Sequence, residues 1–394
     1  RPAPAAPLYP SVLMFDRESW RLTAERVARC GEIVAGFPPD ARWVQLFPTV
    51  HAIVRDDQTI ARYGRMIDRG ESWGDPDNFL PATDDEDPAE VVRVRCGEAI
   101  RMAVARGLHL AVTPHLDPAG TPDEAWRNTY RFAPDEVIDG HSYRSLLLEP
   151  IAEALVAELT PDTRVDFALS GEMGRSLLEN ADEWLRTLVE LRERFAAEPH
   201  CAGVRLGVAL NWGYIGGGAD DAAVDAAAVA RLIAECDFVG YSCYAPVSVP
   251  PTPEDFARAT RNFLAELADW GADLPPDTRL LMTELGIGGG VPKRASDNRS
   301  QAAEPGGSPA LVWPTLQEIA AKPYEGRGDG RFDPWADPQR RELRRQYHAT
   351  LRSYLTATPP TGERRVERAF LWSEGPWDPQ GVADRRFADP AITN

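Results

Sequence analysis

The chain has 394 residues, 43% of them hydrophobic and 26% charged, with a formal net charge of −18. That composition is ordinary for a soluble globular protein and supplies apolar material for a large core. The negative field excludes nucleic acid and anionic lipid as partners and strongly anionic polymers as substrates.

No stretch approaches the ~20 consecutive apolar residues that span a bilayer, so no membrane span is expected. The opening Arg1-Pro-Ala-Pro-Ala-Ala-Pro7 is rich in Pro and Ala. It reads as the start of a mature chain after loss of a secretion or lipoprotein segment, which points to a secreted or cell-surface protein and leaves a cytoplasmic one open. The five cysteines (Cys30, Cys96, Cys201, Cys236, Cys243) have no CxxC spacing. They read as small buried residues, with one disulfide open to a secreted chain.

In chain order, residues 1–10 read as an extended segment and Ser11–Phe15 as the first strand. A helical stretch follows to about Val34, and then Trp43–Phe47 is a second strand. Residues 55–87 are a long polar insertion rich in Asp and Pro, ahead of a helix over 89–105 and a third strand over 108–113. Helix 143–159 leads to the fourth strand, Arg164–Leu169; helix 182–196 leads to the fifth, Gly203–Leu210. Helix 221–235 precedes the sixth strand, Phe238–Tyr244, and Pro253 opens the next helix at a position where its missing N–H matters little. Arg279–Thr283 is the seventh strand, a Gly/Pro-rich loop fills 286–337, helix 339–355 follows, and Arg368–Trp372 is the eighth.

Regular strand–helix alternation implies a parallel sheet. Eight units imply one closed (β/α)8 TIM barrel, an α/β fold in which all of 1–394 is a single catalytic domain with long loops at the C-terminal face. An open doubly wound sheet is the alternative. It carries a Gly-rich phosphate loop after its first strand, and Phe15-Asp-Arg-Glu-Ser19 has none.

In a barrel the acting residues sit at the C-terminal ends of strands. The fourth and seventh strands each run into a glutamate, Glu172 and Glu284, and then break into a turn. A carboxylate at the end of a buried run costs desolvation energy unless it is paired or functional. Taken singly, Glu172 could be a helix N-terminal acid favoured by the macrodipole. Taken together, the two acids are the arrangement that glycoside hydrolysis requires. The other strand ends bring His115 and Asp117, Asn211 and Trp212, Tyr244, and Trp372-Ser-Glu374, with Trp126-Arg127 on a loop. Aromatic faces stack on sugar rings, and amides and acids bind hydroxyls. His115 and Asp117 could instead be two ligands of a metal ion, but no His/Asp/Glu cluster has ligand spacing and no metal or other cofactor is expected.

These stretches resemble clan A glycoside hydrolases, and within the clan the family 113 β-mannanases. The resemblance rests on an ordered set: Trp43-Val-Gln-Leu-Phe-Pro48, Pro114-His-Leu-Asp117, Trp126-Arg127, Gly171-Glu172-Met173, Leu210-Asn-Trp212, Phe238–Tyr244 and Thr283-Glu284-Leu-Gly286. The common clan pattern has Asn before the acid/base Glu; here that position is Gly171. The resemblance implies a retaining hydrolase of β-linked glycans, most like β-1,4-manno-oligosaccharides, needing no cofactor. Glu284 would be the nucleophile and Glu172 the acid/base, with carboxyl groups about 5–5.5 Å apart. It also implies a raised pKa on Glu172 and a lower one on Glu284. Tyr244 would orient Glu284, Trp372 would floor the sugar at the cleavage point, and His115, Asp117, Trp126, Arg127, Asn211 and Trp212 would contact hydroxyls or hold the acids. An exo-acting β-glycosidase, a β-glucanase and a barrel that binds carbohydrate without cleaving it remain open beside it.

Overall fold

A computed structural model of the protein describes residues 7–67, 76–84, 87–119, 126–245, 247–248, 250–286 and 338–374. The strands are β1 (Leu8–Met14), β2 (Trp43–Val54), β3 (Ile60–Met66), β4 (Phe79–Pro81), β5 (His109–Val112), β6 (His115–Pro118), β7 (Val165–Gly171), β8 (Val204–Asn211), β9 (Phe238–Cys243), β10 (Arg279–Leu285) and β11 (Val366–Glu374). The helices are α1 (Arg17–Arg21), α2 (Thr23–Ile33), α3 (Pro88–Ala105), α4 (Glu149–Glu158), α5 (Gly174–Glu179), α6 (Ala181–Ala196), α7 (Ala226–Glu235), α8 (Pro253–Asp269) and α9 (Pro338–Thr356).

Eight of the strands pair in parallel in the order β1, β2, β5, β7, β8, β9, β10, β11, and β11 returns to β1, so the sheet closes into a (β/α)8 barrel. The apolar runs predicted these strands because a barrel strand is covered on both faces. Polar side chains start several helices. Asp16 accepts from Ser19 N at 2.7 Å ahead of α1, Asp87 accepts from Glu90 N at 3.0 Å ahead of α3, and Asp225 caps α7. The Asp255 carboxylate reaches back to Thr252 N at 2.8 Å at the start of α8.

Two expectations need correction. The polar insertion contains β3 and β4, and with a lengthened β2 and with β6 they form a small arm beyond the barrel. Its strand β3 mixes buried positions with partly exposed polar ones such as Arg62 and Arg65, which hid it from a search for continuous apolar runs. The first strand begins at Leu8, and Leu8, Tyr9 and Pro10 are buried in it rather than extended ahead of the barrel. The loop 287–337 and Trp377 lie outside the described residues. Among the described residues no helix is long and apolar enough to cross a membrane, and the five cysteines are buried and form no disulfide.

The barrel interior is layered. At its lower end Asp166 on β7 accepts from Arg279 Nη2 on β10 at 2.6 Å and from Arg368 on β11, whose guanidinium lies 3.8 Å over the Trp43 ring. Two residues further along the same strands, Ala168 and Leu281 join Ala209 and Phe238 in a small apolar cluster. Removing one partner of a buried ion pair strands the other. Asp166→Asn should therefore destabilise the protein by about 3 kcal/mol, read by urea unfolding, because Arg279 and Arg368 lose their buried counter-charge and keep only the more exposed Glu367. Activity per folded molecule should be retained, since this layer lies at the opposite end from both glutamates; an unchanged midpoint would show the network to be energetically idle.

Candidate active site

Strand alternation alone would turn Glu284 away from the interior. Arg279 and Leu281 face inward, so Thr283 would follow them and Glu284 would point at the helices. The pairing with β9 slips between Met282 and Glu284, which sets Glu284 beside Ser242. A second slip, between Ala168 and Gly171, precedes Glu172. Such irregularities re-aim side chains and gather at active sites. Glu172 itself has φ 57°, a left-handed backbone that strains a non-glycine residue, with its N–H donating to Ala209 O at 3.0 Å.

Both acids are buried and share one cation. Arg127 Nη2 donates to Glu172 Oε2 at 2.5 Å and lies 3.8 Å from Glu284 Oε2, and its Nη1 donates to Asp117 Oδ1 at 2.7 Å. Through that shared nitrogen (2.5 Å to one, 3.8 Å to the other) the facing carboxylate oxygens are at most about 6.3 Å apart. Glu172 also accepts from Asn211 Nδ2 at 2.8 Å and from the Ser242 hydroxyl. Glu284 accepts from the Tyr244 hydroxyl at 2.5 Å through Oε1, while its Oε2 has no hydrogen-bond partner among the described residues.

The loop bearing Arg127 is pinned. Asn128 donates to Tyr214 O and accepts from Gly174 N at 2.8 Å. A side chain at Gly174 would place its Cβ 1.7 Å from the Ile215 carbonyl oxygen, so only glycine lets these loops meet.

The structure therefore brings Glu172, Glu284, His115, Asp117, Arg127, Asn211 and Tyr244 together. Trp372 stacks on the His115 ring with centroids 5.6 Å apart and planes at 23°. Trp126 stands to one side and stacks on Tyr214 at 6.3 Å and 16°. Trp212 is a correction. Its indole is buried in the main core, and its N–H donates to Ala259 O at 2.8 Å on α8, so it packs the barrel wall rather than facing a ligand. Alternation explains this: Asn211 points inward to Glu172, so its neighbour points outward. Ser242 and Tyr214 were missed. Ser242 sits on the sixth barrel strand two residues before Tyr244, and that same alternation would have turned both to one side. Among the described residues, no three His, Cys, Asp or Glu side chains form a metal-binding group.

The charges also depart from expectation. Glu284, expected to have the lower pKa, has it pushed well above the usual carboxylate range. Burial is the main cause and the neighbouring Glu172 charge the next; Arg127 and Tyr244 oppose them. Arg127 lies closer to Glu172, and three donors converge there against one on Glu284. A carboxyl with a raised folded pKa costs stability once pH rises through that value. Glu284→Gln should therefore raise the melting temperature by about 1–3 °C at pH 7.5 and by less at pH 4.5. A gain independent of pH would contradict the assignment.

No protein-family model matches this chain and no curated protein matches it in sequence. Among solved structures it is similar in fold to a family 113 β-1,4-mannanase (TM-score 0.49, 12% identity, covering 99% of this chain and 96% of that one). It is also similar to the family 113 β-mannanase of Alicyclobacillus acidocaldarius (0.48, 13%, 99% and 96%). A family 5 mannosidase from Rhizomucor miehei has a TM-score of 0.35 at 11% identity, covering 93% of this chain and 82% of that one. All three TM-scores are below 0.5, so what can be read from the site rests on its own geometry.

Proposed function

We propose that the protein is a retaining glycoside hydrolase that cleaves β-linked glycans by double displacement, with β-1,4-manno-oligosaccharides as the first substrate class to test. The observation that carries this reading is the pair of buried glutamates at the ends of two barrel strands, joined through one guanidinium nitrogen. Their facing oxygens, at most about 6.3 Å apart, set both acids within reach of one glycosidic bond, and the choice of retention, with carboxyl groups ~5–5.5 Å apart, rests on the resemblance. Polar atoms around them with no hydrogen-bond partner among the described residues, Glu284 Oε2, Asn211 Oδ1 and both His115 ring nitrogens, favour a ligand rich in hydroxyls. The choice of β-mannan rests on the ordered stretches that resemble family 113.

In this reading Tyr244 holds Glu284 Oε1 for attack on the anomeric carbon. Glu172 protonates the leaving oxygen, then takes a proton from the water that releases the sugar. Glu284 must be ionised when the first bond breaks, whereas burial and the neighbouring Glu172 favour its protonated form in the free protein. Substrate binding therefore has to bring Glu284 to its ionised form before it attacks.

The test is a hydrolysis screen of aryl β-glycosides and of β-mannan, β-glucan and xylan oligosaccharides, run beside Glu284→Gln. Cleavage that the variant abolishes supports the enzyme, and the responding substrate names the sugar. A protein that binds one of these sugars and hydrolyses none would be a carbohydrate-binding barrel.

A further inference from the structure

We infer that His115 is the donor that holds the substrate hydroxyl on the carbon next to the anomeric carbon, paired with Glu284 Oε2 as the acceptor. This rests on the glycosidase reading above and adds to it a residue that discriminates between sugars.

His115 on β6 is fully buried, and neither ring nitrogen has a hydrogen-bond partner among the described residues. The ring cannot turn to find one. Trp372 stacks on one side at 5.6 Å, and Phe47 packs at 4.8 Å. Its edge lies against Gly171, where an added Cβ would fall 2.4 Å from Cδ2 and 2.9 Å from Nε2. The imidazole thus occupies the room that a side chain at 171 would need, which gives a physical reason for glycine at that position.

The held edge points at the nucleophile. His115 Nε2 lies 3.7 Å from Glu284 Oε2, too far for a hydrogen bond. The pair is not a salt bridge either, because burial and the Arg127 charge hold the imidazole well below its ordinary pKa and keep it neutral. A buried donor and a buried acceptor that face each other without bonding are costly and need a reason. With the proton on Nε2, a hydroxyl fits both: it accepts from His115 and donates to Glu284. A 3.7 Å span lets one oxygen lie within hydrogen-bonding distance of both ends.

The hydroxyl is identified by what Glu284 does. In the hydrolase reading Oε1, which accepts from Tyr244, is the oxygen that attacks the anomeric carbon, and Oε2 of the same carboxylate is left to meet the hydroxyl on the adjacent carbon. Hydrogen bonds to that carbon's hydroxyl strengthen as the oxocarbenium-like transition state forms. A fixed donor there also distinguishes sugars that differ only in the orientation of this hydroxyl.

The experiment compares the best aryl β-glycoside from the screen with its 2-deoxy analogue, on wild type, His115→Phe and His115→Gln. Phe keeps the stack and removes the nitrogens; Gln keeps an N–H. We expect His115→Phe to lose about 10–100-fold in kcat/KM on the parent and far less on the 2-deoxy substrate, with Gln in between. Equal losses on both substrates would mean that His115 only packs the site, and would overturn the inference while leaving the hydrolase reading intact. Should His115→Phe not fold, ¹⁵N spectra of the wild-type histidines answer the same question. The released monosaccharide should shift one buried imidazole nitrogen and its 2-deoxy form should not; identical shifts overturn the inference. A wild type that cleaves no glycoside refutes the hydrolase reading instead, and this inference with it.

Discussion

Glu284→Gln should lower kcat/KM by about 10⁴-fold or more on every substrate, whatever its leaving group, because no covalent intermediate can form without the nucleophile. Glu172→Gln should behave differently. General acid–base help is worth about 10²–10⁴-fold, and an activated aryl leaving group needs little of it in the first step. A dinitrophenyl glycoside should therefore still form the glycosyl-enzyme in Glu172→Gln protein, which then accumulates because no base activates water. Azide needs no base, and it should restore turnover and give the β-glycosyl azide. With Glu284 cut back to Ala, azide can replace the carboxylate itself, and the product should be the α-azide. Product NMR distinguishes the two. Equal losses in both variants on both leaving groups, with no azide adduct from either, would remove the double-displacement assignment.

The barrel was legible because its strands are apolar on both faces, so continuous runs such as Phe238–Tyr244 betray them without any help from periodicity. The acids were legible because a glutamate that ends such a run has no bland explanation when it occurs twice. What escaped depended on relations between distant segments. The slip beside Met282 that turns Glu284 inward is a property of the pairing with β9, and no local pattern announces it. The β3–β4 arm escaped because its polar faces resemble a loop. The raised pKa of Glu284 escaped because it depends first on burial and then on the balance between Glu172 and Arg127, a loop residue whose reach is fixed by Asn128 and Gly174. Trp212 shows the opposite error, since an aromatic residue at a strand end looked like a sugar platform although its neighbour Asn211 had already taken the inward position.

Arg127→Met should cost about 3–5 kcal/mol of stability at neutral pH, the effect of stranding a buried ionic cluster. Asp117, Glu172 and Glu284 all lie within 4 Å of its guanidinium and all are buried. His115 is held neutral by burial first and by the Arg127 charge second, and the burial persists in the variant. Without the cation, whose charge now lowers it, the folded-state pKa of Glu284 rises further. A carboxyl in that condition is harmless while protonated and costs stability as pH climbs through its folded value. The deficit in unfolding free energy should accordingly be small near pH 4.5 and grow toward pH 7.5. Arg127→Lys separates charge from geometry. One ammonium supplies a charge, but it cannot donate to Asp117 and Glu172 in the fixed fork that Nη1 and Nη2 provide. Lysine should recover part of the stability while leaving kcat/KM low, since Glu172 would no longer be held against Asn211 and Ser242 in one orientation. Urea midpoints for wild type, Met and Lys proteins across this pH range decide the matter. A Met deficit that does not change with pH would mean that Arg127 acts by packing rather than by its charge on Glu284.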